Sequence, residues 1–183
     1  MGFYQEWILP HLIQMSMKQE HFEPYRRRAV GAARGRILEI GVGSGLNLPL
    51  YQSGTDVVGL DPSAKLLSMA REATADRAQT IQLIEGSAES IPLPDHEFDT
   101  VVTTWTMCSI PDLPKALAEV RRMLKDDGRL VFVEHGKAPE PKVVRWQNAL
   151  TPVWKRIGGG CHLNRPIDQL IAAAGFRVDG LKT

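Results

Sequence analysis

Apolar residues recur along this chain in two alternating rhythms. Short, nearly unbroken apolar runs lie at 36–40, 57–60, 81–84, 98–105, 129–136 and from Phe176 onward. Each has the length of a strand covered on both faces. Between them, apolar side chains return every third or fourth residue, as on the buried stripe of a helix. The clearest helical stretches are "DPSAKLLSMAREA", opened by Pro62-Ser63, "DLPKALAEVRRMLKDDG", residues 143–157, and "RPIDQLIAAAG", closed by Gly175. In the second of these, Leu117, Val120 and Leu124 share one side. A short helix is predicted over 46–51, a loop around Pro92, Pro94 and Asp95, and a hinge at Gly158-Gly159-Gly160.

Residues 3–17 carry a helical stripe of Phe3, Trp7, Leu12 and Met15, with Pro10 placed to kink it. A second helix starts near Pro24, and Gly35 ends it. The pattern divides the chain into an N-terminal helical lid, 1–34, and one domain, 35–183. Strands alternating with helices predict an α/β, doubly wound, mostly parallel sheet. Ligands bind such sheets outside the carboxyl ends of the strands, so the residues just after each strand carry the interest.

Composition narrows the class. The 183 residues suffice for one domain with a sizeable core. A formal net charge of +1 gives no broad electrostatic reason to bind nucleic acid. The one basic cluster, Arg26-Arg27-Arg28, reads as a solvated helix face. Cys108 and Cys161 lie far apart in sequence and indicate neither a disulfide framework nor a metal site. A reduced, cytoplasmic setting is expected.

The first run ends in "ILEIGVGSGLN", with Gly41, Gly43 and Gly45 at alternate positions. A dinucleotide fingerprint would be G-x-G-x-x-G, and here Leu46 stands at its third glycine. Glu39, two residues before Gly41, would repel a pyrophosphate and favour a ligand with an ammonium group. No G-K-[ST] follows, which argues against a P-loop. The second run ends at Asp61, where this fold places a carboxylate on ribose hydroxyls. A ligand with a ribose and a cation and without phosphate describes S-adenosylmethionine. The plainer alternative is two acids that merely cap helices. After the third run, Ser87, Ala88 and Glu89 are placed to edge an adenine, although Ser and Glu also cap helices.

Taken in order, "ILEIGVGSGLN", "VVGLDPS", "GSAESIPLPDHEFDTVVTTWTMCSI" and "EVRRMLKDDGRLVFVEHG" resemble class I S-adenosylmethionine-dependent methyltransferases, in the ubiquinone-type and type 11 branch. The later "WQNALTPVWKRIGGGCHLNRPIDQLIAAAGF" is similar to methyltransferase-like proteins of animals that act on alkyl thiols, and to their bacterial relatives. The resemblance implies that Glu39, Gly41, Gly43, Gly45 and Asn47 hold the methionine end of the cofactor. It implies that Asp61 binds the ribose, with Pro62 and Ser63 beside the adenine and Ser87, Ala88 and Glu89 along its edge. Ser87 stands where the family often has Asp. Thr104, Trp105 and Thr106 would flank the sulfonium. The family sheet has seven strands, the last slotting between the fifth and sixth. No residues remain here for a seventh, so the sheet is expected to be incomplete or completed by a partner.

Methyl transfer is an in-line displacement, and it asks the protein chiefly to align the reacting atoms. A thiol acceptor, with pKa near ~8.5, needs little help from a base; a hydroxyl or carbon acid needs more. His135 and His162 are the candidate catalytic bases. The plainer reading of His135 is a hydrogen bond at the sheet end. Cys108 reads as a small core residue, and Cys161 as similar but more open. The N-terminal segment reads as a lid whose Phe3, Tyr4, Trp7 and Met15 line an acceptor pocket. Membrane docking is the alternative, and few lysines or arginines precede Arg26 to support it. The expected partner is a small-molecule methyl acceptor, with thiols ahead of quinone-like rings and lipid amines. Oligomerisation is open. A cofactor-binding module without catalysis and an NAD-dependent oxidoreductase are the competing classes, and the glycine spacing and Glu39 argue against the second.

Overall fold

A computed structural model describes residues 4–75 and 81–181. Its strands are β1 (Ile37–Ile40), β2 (Val57–Asp61), β3 (Ile81–Glu85), β4 (Phe98–Thr104) and β5 (Leu124–Val133). They form one sheet in the order β3-β2-β1-β4-β5, and every pairing is parallel. Its helices are α1 (Leu9–Met17), α2 (Glu23–Ala32), α3 (Ala64–Thr74), α4 (Leu113–Met123), α5 (Pro141–Ile157) and α6 (Ile167–Ala173). The architecture is the expected Rossmann-like α/β sheet.

Alternation along β1 assigns the two faces. Leu38 and Ile40 pack with Leu113, Leu117 and Val120 of α4 and Ile167 and Ile171 of α6. Ile37 packs on the other face with Val30 of α2, Leu48, Tyr51, and Leu67 and Ala70 of α3. Glu39 shares the parity of Ile37, so the strand's pleat drives its carboxylate to that second face. Central strands covered on both sides read as continuous apolar runs, and β1 and β2 are buried throughout.

Several boundaries differ from the pattern. Pro10 sits in the first turn of α1 and does not kink it; a single π-helical turn, Tyr4–Ile8, precedes the helix. The helix expected over 46–51 is one 3₁₀ turn, Leu48–Leu50. α4 stops at Met123, and "LKDDG" joins β5 through an irregularity in which Phe98 pairs with Leu124 and Thr100 with Arg129. Lys125 anchors that bulge by donating to Asp99 Oδ1 at 2.8 Å. The segment from Phe176 forms no strand among the described residues. A strand exists only with a ladder partner, and β5 is the edge of the sheet on that side. Phe176 and Val178 instead pack against the α4–α6 core.

Candidate active site

The turn after β1 is built for close backbone packing. Gly41, Gly43 and Gly45 all have positive φ, at 71°, 55° and 79°, a region open to glycine at little cost. A Cβ at Gly41 would collide with the Thr106 side chain. A Cβ at Gly43 would meet nothing closer than 3.9 Å, so this glycine borders free space. The turn is tied to β2, because the Gly41 and Val42 N–H groups both donate to Leu60 O.

Asp61, at the end of β2, closes the other side. Its Oδ2 accepts from Gly43 N–H at 3.0 Å and its Oδ1 from Ser63 N–H at 2.9 Å. Burial raises its pKa against the pull of those two bonds. Each oxygen keeps a further lone pair for a hydroxyl donor. Ser63 caps α3 by accepting from Leu66 N–H, and Pro62 beside it is exposed. A bare-backbone cradle beside a buried carboxylate fits an adenosyl ligand.

Beneath the cradle lies a buried polar network. Glu39 is 2% exposed. Asn47 Nδ2 donates to Glu39 Oε1 at 2.9 Å and Tyr51 Oη donates to Glu39 Oε2 at 2.8 Å. Burial pushes the Glu39 carboxyl up to about 7, opposed by those hydrogen bonds and by Arg26. Asn47 Nδ2 also donates to Thr104 Oγ1 at 3.0 Å. Arg26 donates to Asn47 Oδ1 and to Met17 O, and its guanidinium lies 4.9 Å from the centre of the Trp105 ring. The reading of Arg26 as solvated therefore fails, while Arg27 and Arg28 do face solvent. A buried charge needs partners, and Arg26 finds them in Asn47 and a carbonyl.

Trp105 follows β4 with φ at 51°, a strained value for a bulky residue. Its N–H donates to Val133 O at 2.7 Å, and Phe22 packs edge-on at 4.8 Å. Thr106 and Met107 N–H groups converge on Glu134 Oε1 at 2.6 and 2.7 Å. Burial lifts Glu134 to about 7. Thr104 and Thr106 thus sit beside the glycine turn, Thr104 through Asn47 and Thr106 against Gly41.

Ser87, Ala88 and Glu89 follow β3, and Gly86 N–H donates to Asp61 O. Ala88 is buried, and Ser87 Oγ accepts from Glu89 N–H at 3.1 Å. Glu89 also accepts from Asp112 N–H at the start of α4, so its carboxylate serves a helix end as well as the rim.

His135, after β5, contacts Cys161, and His162, after α5, contacts the loop after β4. His135 Nε2 lies 3.1 Å from Cys161 Sγ. His162 Nδ1 lies 3.1 Å from Cys108 O and 3.0 Å from Arg165 Nη2. Burial lowers the His162 pKa; the Cys161 contact raises that of His135. Cys161 is buried, in line with its reading as a small core residue like Cys108. Its thiol is drawn down by Cys108 and His135, while Cys108 is pushed up by the same sulfur contact. Sequence reasoning missed Arg26, Tyr51, Glu134 and Arg165, whose roles depend on partners far along the chain.

Of the residues expected to line an acceptor pocket, Trp7 and Met15 are exposed, Tyr4 is half-buried, and Phe3 lies outside the described residues. Helix α5 also presents Trp146, Leu150, Val153 and Trp154 to solvent, and only its Thr151 is buried. None of the described helices is long and apolar enough to cross a membrane.

A family model described as a methyltransferase domain matches residues 38–132. The chain is 34% identical to rat thiol S-methyltransferase TMT1B over 165 residues, covering 88% of this chain and 68% of that protein. It is 33% identical to phosphatidylethanolamine N-methyltransferase of Cereibacter sphaeroides over 158 residues, covering 80% and 76%. The crystal structure of the YcgJ protein from Bacillus subtilis superposes with a TM-score of 0.68 at 25% identity, over 85% of this chain and 68% of that one.

Proposed function

From the premise that the chain belongs to the methyltransferase domain family, whose enzymes use S-adenosylmethionine, we propose that its methyl acceptor is a small or amphipathic thiol. The observation that carries this reading is the state of the two candidate bases. His135 is engaged with Cys161, and His162 with Cys108 O and Arg165. A rim whose histidines are committed to the protein favours an acceptor that ionises unaided, and a thiol at about 8.5 does so. The similarity to a thiol S-methyltransferase supports the same choice.

S-adenosylmethionine supplies a methyl carbon already activated by its sulfonium. The chain's own part is to hold and shield. Asp61 would take the ribose hydroxyls, with Pro62 and Ser63 beside the adenine and Ser87, Ala88 and Glu89 along its edge. The bare backbone at Gly41, Gly43 and Gly45 would admit the methionine end, ordered from below by Glu39 and Asn47. Thr104, Trp105 and Thr106 would border the sulfonium. Residues 1–34 would act as a lid over the 35–183 domain. Phe22 and Arg26 pack on Trp105, and Tyr4 Oη donates to Ile157 O at 2.8 Å, which supports that role. Such a cover excludes water and strengthens the electrostatics inside. His135 and His162, engaged within the protein, would shape the rim beside the acceptor rather than ionise it. A reduced, cytoplasmic setting suits two free cysteines.

One observation favours a second acceptor, a lipid amine. Helix α5 exposes Trp146 at 70% among Lys142, Arg145, Lys155 and Arg156, and one relative is a phosphatidylethanolamine N-methyltransferase. A labelled methyl donor offered to alkyl thiols, phenols and quinols, and phosphatidylethanolamine vesicles separates the readings. The thiol arm is expected to carry the label. Label confined to the lipid or the phenol arm would overturn the thiol reading.

A further inference from the structure

Two cysteines and a histidine from three separate loops converge beside the end of the sheet. Cys108 follows β4, His135 follows β5, and Cys161 follows the glycine hinge after α5. Their donor atoms, two Sγ and one imidazole nitrogen, all lie within 4.8 Å of one another. Cys161 Sγ and His135 Nε2 are 3.1 Å apart. Both cysteines are free.

The convergence does not depend on the three side chains themselves. Cys108 O accepts from His162 N–H at 2.9 Å, which staples the β4 loop to the turn carrying Cys161. Arg165 Nη1 donates to Met107 O and Ile110 O, both at 2.6 Å, and clamps the same loop from either side of Cys108. Gly159 and Gly160, with φ at 63° and 86°, turn the chain so that Cys161 faces inward. Glu134 joins the other pair of loops, because its Oε1 binds Met107 N–H. Its Oε2 is buried without a hydrogen-bond partner, acceptor capacity that the described protein atoms leave unused. These bonds pre-form the cluster, the property that separates a binding site from chance proximity.

We propose that Cys108, His135 and Cys161 form a binding site for one soft divalent cation of the zinc type. The donor set selects the class: two sulfurs and an imidazole suit zinc and its thiophilic neighbours, and magnesium and calcium require oxygen. The spacing agrees. With Zn–S near 2.3 Å and Zn–N near 2.0–2.1 Å, a tetrahedral ion holds its donors roughly 3.5–3.8 Å apart. The His135–Cys161 contact at 3.1 Å has to open by a few tenths of an ångström, and donors up to 4.8 Å apart have to close by up to about 1 Å, a side-chain adjustment on ion binding. Three protein donors leave a fourth position for water or an exogenous thiolate, the pattern of sites that do chemistry rather than closed structural ones. The proposal holds whatever the methyl acceptor is.

The test uses the full chain, purified under reducing conditions and stripped of metal, with cobalt(II) as the spectroscopic probe. One equivalent of cobalt is expected to give thiolate-to-cobalt charge-transfer absorption and tetrahedral d–d bands, both abolished by one equivalent of zinc. Cys108→Ser and Cys161→Ser should each weaken the charge-transfer band and reduce affinity beyond the roughly 10–100-fold typical of outer-shell partners. His135→Gln should keep the sulfur bands with altered d–d spectra. Circular dichroism checks that each variant is folded. Wild-type protein that stays colourless with cobalt while its two thiols remain titratable would overturn the proposal. Cobalt binding that survives Cys161→Ser would do the same.

Discussion

Arg26 reaches from α2 to Asn47 in the turn after β1, with Nη1 3.1 Å from Oδ1 across a separation of 21 positions in sequence. This contact couples the N-terminal helices to the proposed cofactor cradle, because Asn47 in turn holds Glu39 and Thr104. Replacing Arg26 with Met keeps the apolar stem and removes the guanidinium. Asn47 Oδ1 and Met17 O then lose a charged donor, at a cost of about 1–3 kcal/mol. Urea denaturation of Arg26→Met should show that loss, and near-ultraviolet dichroism of Trp105 should change with it. Unchanged values for both would mean that α2 is not anchored through Arg26.

The three glycines are not equivalent, and alanine scanning should separate them. Gly41→Ala forces a positive φ on a Cβ residue, roughly 1–2 kcal/mol, and also drives that Cβ into Thr106. It should lower stability by more than about 2 kcal/mol. Gly43→Ala carries the backbone penalty alone, since its Cβ points to open space. Its larger effect is expected on S-adenosylhomocysteine affinity by calorimetry, at least about tenfold, because the added methyl fills the cradle. Equal effects of the two on affinity and stability would show that Gly43 does not border the ligand.

Burial raises the Glu39 carboxyl to about 7 in the folded state, while the unfolded chain titrates near ~4.3. The folded form therefore binds the extra proton between those values. Stability from this group is full below the unfolded pKa and declines as pH rises toward about 7, by at most ~1.4 kcal/mol per pH unit. Glu39→Gln removes that slope and leaves the Glu134 contribution in place. Melting temperatures of the ligand-free protein from pH 4.5 to 8 should fall less steeply in the variant. A variant that follows the wild type throughout would place Glu39 ionised across the whole range.

Glu39 and Asp61 were legible from position: Glu39 two residues before the glycine turn and Asp61 at the end of the second apolar run, both on the rim where this fold binds ligands. Their partners were not, because Asn47, Tyr51 and Arg26 come from turns and helices whose packing no local pattern records. Arg26 shows the difficulty best, since its two arginine neighbours are exposed and the run of three looks uniform in sequence. The sulfur and imidazole cluster escaped for another reason. His135 and Cys161 are 26 residues apart, far from the short spacings by which ligand sets are usually recognised. Only the order of β4 and β5 in the sheet, and the hinge after α5, bring them together. The strand expected from Phe176 failed because apolar alternation specifies a strand only where a neighbour accepts its backbone bonds.

Asp61 offers the sharpest test of the cradle, because its carboxylate has two separable tasks. It organises the protein by accepting from Gly43 and Ser63 N–H, and in the proposed complex it accepts from ribose hydroxyls. Asp61→Asn keeps the shape and one carbonyl oxygen but turns the other acceptor into a donor. One backbone bond is lost in either amide orientation, which alone costs about 1 kcal/mol of stability. Loss of a charge-assisted bond to ligand adds about 1.5–3 kcal/mol to binding, or roughly 10–150-fold in the dissociation constant for S-adenosylhomocysteine. The expected outcome is a small fall in urea midpoint and a large fall in affinity. A variant that loses stability but binds S-adenosylhomocysteine as the wild type does would reduce Asp61 to a loop-bracing residue, and the ribose would then have to be held elsewhere on the rim.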